Sequence, residues 1–167
     1  MKMYKKGRIA GHMDEAYRDD RENRLNATAY IRLLQAAREC QNNVYISTAT
    51  IEKWINHPYW GVRYGAMYAA IDRPEVPYRL IEIGLNDADC DVRMIALRAC
   101  ACRNDVPIER YDEALSDHAT FVAEAAAKSI KGKHIPPEIK ADWAISHNSF
   151  RRLAAAHALS PQQKPRH

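Results

Sequence analysis

Two short stretches of this sequence set an arginine in the same surroundings. Residues 60–67 read WGVRYGAM and residues 90–97 read CDVRMIAL, so Arg63 and Arg93 stand 30 residues apart, each after a valine and before a small or apolar run. Around Arg63 lie Tyr59, Trp60, Tyr64 and Tyr68. Tyr64 and Tyr68 are four apart and share a helix face. Tyr, Trp and Arg are the residue types that dominate binding hot spots, so Tyr59, Trp60, Arg63, Tyr64 and Tyr68 form the candidate partner-binding patch. The competing role for Arg63 and Arg93 is structural, bonding to a turn Asp or to carbonyls of an adjacent segment. A second set of cations also recurs: Arg73, Arg103 and Lys133 at intervals of 30, and Arg98 with Lys128 at the same interval. Cations near a helix C-terminus complement its dipole. A regular row of them could also follow a phosphate backbone, which makes Arg73, Arg93, Arg98, Arg103, Lys128 and Lys133 the candidate nucleic-acid-binding residues.

Other chemistry finds little support. The sequence contains no P-loop, no GxGxxG, no HExxH and no GxSxG. Its four cysteines, Cys40, Cys90, Cys100 and Cys102, form no CxxC pair. Cys100 and Cys102 point to different sides of a helix, so core packing is the expected role, in a reducing cytoplasmic setting. His57, His118 and His147 fall in three similar turns. Stacked helices lie about 10 Å apart, too far for His ligands that sit about 2 Å from a shared zinc. Asp87, Asp89 and Asp91 lack the glycine and distal glutamate of an EF-hand and precede a helix, where capping explains them. The expectation is a non-catalytic chain with no metal and no cofactor.

The elements that carry these residues follow from an internal repeat, the pattern to seek first. VPYRLIEIGLNDADCDVRMIALRACACRND at 76–105 aligns with VPIERYDEALSDHATFVAEAAAKSIKGKH at 106–134, with IPPEIKADWAISHNSFRRLAAAHAL at 135–159 and with ISTATIEKWINHPYWGVRYGAMYAAIDRPE at 46–75. Small residues repeat at Ala66, Ala96, Ala126 and Ala155, and the last residue of the first helix repeats as Ile55, Leu85, Leu115 and Ala144. Each copy predicts two helices. Proline at the first helical position opens helix A, with Ser47 as an N-cap in the first copy. A polar turn follows, and helix B begins near Val62, Val92, Val122 and Arg151. Trp54 and Trp143 share a helix-A position that holds Gly84 and Ala114 in the middle copies. One such pair cannot bury its apolar face, so pairs must stack.

The DADCDVRMIALRA stretch resembles HEAT repeats, especially the short HEAT-like type of phycobilisome lyases, and the VP…L…D…VR spacing resembles leucine-rich-repeat-variant proteins. The resemblance spans roughly residues 27–159. It implies an all-α fold, a right-handed α-solenoid of four to five stacked helix pairs, with helix B lining the concave face. Gly61, Phe121 and Ala123 depart from the pattern. It implies little about function, because such repeats serve unrelated tasks. Some HEAT-like proteins, the DNA-alkylation-repeat glycosylases among them, hold nucleic acid, but no glycosylase site residue is matched here.

Residues 1–25 are expected to be a charged segment with a capping helix, 26–159 the solenoid and 160–167 a mobile basic tail. Apolar residues are 47% of the 167, enough for a core, and no apolar run approaches the ~20 residues of a membrane span. Net charge is +4, yet residues 76–134 carry ten acidic against eight basic side chains, which weighs against a strongly cationic groove. The expected function is a binding module, an adaptor or small inhibitor that docks a protein or ribonucleoprotein, with direct nucleic-acid binding as the alternative. An exposed solenoid end also permits a homodimer.

Overall fold

The computed structural model describes residues 35, 37–41, 43 and 45–158. The expected N-terminal capping helix, all of 26–34 and the basic tail lie outside these residues. The described residues are all-α, with helices α1 (Thr48–Ile55), α2 (Trp60–Ala70), α3 (Tyr78–Leu85), α4 (Cys90–Cys100), α5 (Ile108–Ala114), α6 (Thr120–Ser129), α7 (Pro137–Ile145) and α8 (Ser149–His157). No helix among them is long and apolar enough to cross a membrane. The chain forms two compact units, one ending at Cys102 and one beginning at Arg103.

In the first unit α1 packs on α2 and α3 on α4, while α1 also meets α3 and α2 meets α4. Its core is Ile51 and Ile55, Val62, Ala66 and Met67, Leu80 and Ile81, and Val92, Ile95, Ala96 and Leu97. Small side chains let these short helices approach closely. Gly84 is the tightest place: a Cβ there would run into Met67 Sδ and lie 2.9 Å from Met67 Cγ and 3.1 Å from Ala96 Cβ. In the second unit α5 packs on α6, α7 on α8 and α6 on α8. Tyr111, Leu115, Val122, Ala126, Ile130, Trp143 and Ala154 fill its core.

The helix starts refine the expected caps. Pro77, Pro107 and Pro136 are N-caps and not first helical residues, with φ of −59°, −59° and −49° and extended ψ. The ring fixes φ at a value common to both states, and ψ moves the start one residue onward. Ser47 caps α1 as expected, accepting from Thr50 N at 3.2 Å. The second helix of each pair starts at Trp60, Cys90, Thr120 and Ser149, two residues ahead of the expected positions. The inner turn decides this: Asp89 accepts from Asp91 N and Val92 N, and Asn148 from Phe150 N and Arg151 N. Capping is therefore the role of Asp89 within the Asp87–Asp89–Asp91 cluster.

The four inner turns of the described residues are closed in the same way. His57 Nδ1 accepts from Tyr59 N at 3.0 Å, Asp87 Oδ1 from Asp89 N at 2.9 Å, Asp117 Oδ1 from Ala119 N at 2.9 Å, and Ser146 Oγ from Asn148 N at 3.2 Å. His57 thus stands in register with Asp87, Asp117 and Ser146, one place before His118 and His147. Three side-chain chemistries perform one task because the turn asks only for an acceptor two residues before a free N–H.

Candidate functional site

The repeated arginine is a clamp. Arg63 Nη1 donates to the carbonyls of His57 at 3.0 Å and Pro58 at 2.8 Å in its own turn. Its Nε and Nη2 grip Asp87 of the next pair at 2.7 and 2.8 Å. Arg93 Nη1 donates to the carbonyls of Asp87 at 2.9 Å and Ala88 at 3.1 Å, and Arg152 Nη1 to those of Ser146 at 2.6 Å and His147 at 3.0 Å. The acceptors five and six residues back are main-chain groups, so any residue can supply them. Ala123 occupies this position in the third pair.

The five residues of the aromatic patch do come together. Ring centroids are 5.8 Å apart for Tyr59 and Trp60, 6.0 Å for Trp60 and Tyr64, and 5.1 Å for Tyr64 and Tyr68, all tilted or edge-on. Tyr59, Tyr64 and Tyr68 are buried, and only Trp60 and Arg63 keep partial exposure. Arg98 stacks over Tyr68, 5.4 Å from its centroid, and donates to its hydroxyl at 3.1 Å. The three tyrosine rings lie inside the protein.

Most of the cationic columns are likewise internal. Arg73 donates to Glu75 at 2.7 Å and to the Ile46 carbonyl at 2.6 Å. Arg103, its side chain only 6% exposed, holds Asp105 through two bonds of 2.9 and 2.7 Å. Lys133 donates to the Arg103 carbonyl. Arg93 is buried. Arg98 and Lys128 remain exposed, and Lys128 pairs with Glu124 at 2.6 Å. Cys40 and Cys100 are buried and Cys90 partly so, but Cys102 is exposed, donating to Asp72 at 3.0 Å. Burial pushes the Cys40 thiol up to about 12.

A different place is open to a ligand. A cleft of about 440 Å3 in the second unit is lined by Ile108, Glu109, Asp112 and Glu113 of α5, by Ile139, Asp142 and Trp143 of α7, and by Arg151 of α8. On α5 the three acids fall at i, i+3 and i+4, one helix face. Asp112 braces the cleft, accepting from Trp143 Nε1 at 2.7 Å and from Arg151 Nη2 at 2.9 Å. Asn148 fixes the α7–α8 turn against α5 by donating to the Leu115 carbonyl at 2.8 Å. Arg151 Nε is buried and has no acceptor among the described residues. Glu113 takes Arg110 at 2.9 Å, whereas the side chains of Glu109 and Asp142 have no partner among the described residues.

This arrangement offers uncompensated negative charge over an apolar floor. The lining holds no serine, cysteine or histidine beside a base. No group of three metal-ligating side chains gathers among the described residues. None of the residues lining the cleft was named as a binding site in the sequence. Two signals pointed to it: Trp143 in a column shared with Gly84 and Ala114, and the acidic excess of residues 76–134. No family model, no curated protein and no solved structure matches this chain.

Proposed function

We propose that this chain is a non-catalytic binding module, an adaptor or small inhibitor that docks a protein partner. Its helix pairs stack as HEAT-like repeats in a right-handed α-solenoid. Like-on-like packing supports the stacking: α1 on α3 and α2 on α4 in the first unit, α6 on α8 in the second. The observation that carries the binding role is the cleft of the second unit, whose 440 Å3 or so lies within the range of about 300–1,000 Å3 typical of ligand sites. The four free cysteines suit a reducing cytoplasmic setting. The docking site moves from the aromatic patch to the cleft, because its three tyrosine rings are buried and only Trp60 and Arg63 keep partial exposure. A phosphate track is disfavoured, since Arg73, Arg93, Arg103 and Lys133 are committed to the protein's own oxygens.

Fluorescence anisotropy with pools of labelled dodecapeptides, grouped as basic, neutral and acidic, tests this reading against labelled duplex DNA, single-stranded DNA and RNA. Saturable binding of at least one peptide pool, with none of the nucleic acids bound at physiological salt, is the expected result. Nucleic-acid binding with a steep salt dependence and no peptide binding overturns it.

A further inference from the structure

Resting on the binding-module reading, we infer that the cleft between α5 and α7 is a pocket for a cationic side chain, lysine or arginine, carried by a segment of the protein partner. Four carboxylates line it against one guanidinium. That guanidinium is already engaged by Asp112, and Glu113 already holds Arg110. Glu109 and Asp142 are left, on two different helices, each exposed and each without a side-chain partner among the described residues. In a protein of net charge +4 this is a local reversal of sign, and it repels phosphate while attracting a cation.

The walls select the kind of cation. Ile108, Ile139 and Trp143 present apolar surface below the acids. Lysine and arginine match such a site, because their methylene stems cover apolar surface while the charged head stays at the wet rim. A small inorganic cation would leave that surface bare. Trp143 is held at its indole N–H by Asp112, so the floor is set before a ligand arrives, which lowers the ordering cost of binding. The residue beside the cation is also constrained. Ile145 is 83% exposed and lies one turn beyond Asp142 on α7, with Glu138 one turn before it. A basic residue next to an apolar one fits that row.

The test uses the full chain and labelled dodecapeptides that carry one central Arg or Lys flanked by leucine, beside the same peptides with Gln in the centre. Binding of the Arg and Lys peptides should be saturable, should weaken at least tenfold on change to Gln, and should weaken several-fold from 50 to 300 mM salt. Glu109→Gln combined with Asp142→Asn should cost at least tenfold, and Glu124→Gln, an exposed acid outside the cleft, should cost nothing. Thermal melts confirm that the variants fold; Asp142→Asn alone, a change at one exposed side chain, serves if the double variant does not. Equal binding of the Gln peptides, or full binding by the double variant, overturns the cationic pocket and leaves the module reading standing. No binding by any peptide pool overturns both.

Discussion

Arg63 joins two helix pairs through one guanidinium. Its side chain is 17% exposed and that of Asp87 only 5%, so the bidentate pair is largely shielded from water. Removing one partner of such a pair strands the other. Arg63→Met should therefore lower stability by roughly 3 kcal/mol, near the low end for a buried pair. Asp87→Asn in the Arg63→Met background should add much less than it does alone, as a double-mutant cycle of chemical denaturation will show. Asp105 carries a pH dependence. Its hydrogen bond with Arg103 holds its carboxyl below the usual carboxylate value of 3.8, against a smaller opposing effect of burial. A depressed acid stabilises the fold above its unfolded pKa and ceases to do so as the pH falls. The difference in Tm between Asp105→Asn and the wild type should thus be present at pH 7 and close as the pH drops below 3.8. With the Asp105 side chain 54% exposed, the effect should stay below about 1 kcal/mol.

At the level of the helices, spacing alone located the four pairs seen among the described residues. The proline and serine caps, the polar turns and the small-residue column follow from local rules that do not depend on neighbours. Starts shifted by one or two residues, because an Asx-type turn and an extended proline ψ are decided by hydrogen bonds that spacing does not show. The column holding Trp54, Gly84, Ala114 and Trp143 suggested a demand of shape without saying which. Packing supplies the answer for two of its members. Gly84 admits Met67 where any Cβ would collide, and Trp143 floors the acidic cleft. Gly84→Ala should accordingly destabilise the first unit by about 1–3 kcal/mol, the usual cost of overpacking, despite alanine's better helix propensity. A gain in Tm would show that Met67 moves aside freely.

For the molecule as a whole, the charge pattern matters more than its sum. Cations aligned at intervals of 30 look like a stripe in the sequence. In the structure most of them hold carbonyls and carboxylates, and Arg98 and Lys128 are the exposed members. Reversing both, as Arg98→Glu with Lys128→Glu, should leave peptide affinity within twofold when measured by anisotropy. A tenfold loss would return the function to the helix-B face. What the sequence by itself determined is the period, the helix pairs and the caps, since these arise from residues within a few positions of one another. Tertiary structure alone decided which repeated side chains are spent and which are free. Arg63 finds an acceptor 24 residues away and Arg73 one 27 residues away, the tyrosine rings are buried by packing, and Asp112 of α5 meets the tryptophan of α7 across 31 residues. Exposure is a property of the packed chain, and a docking surface consists of what packing leaves unpaired.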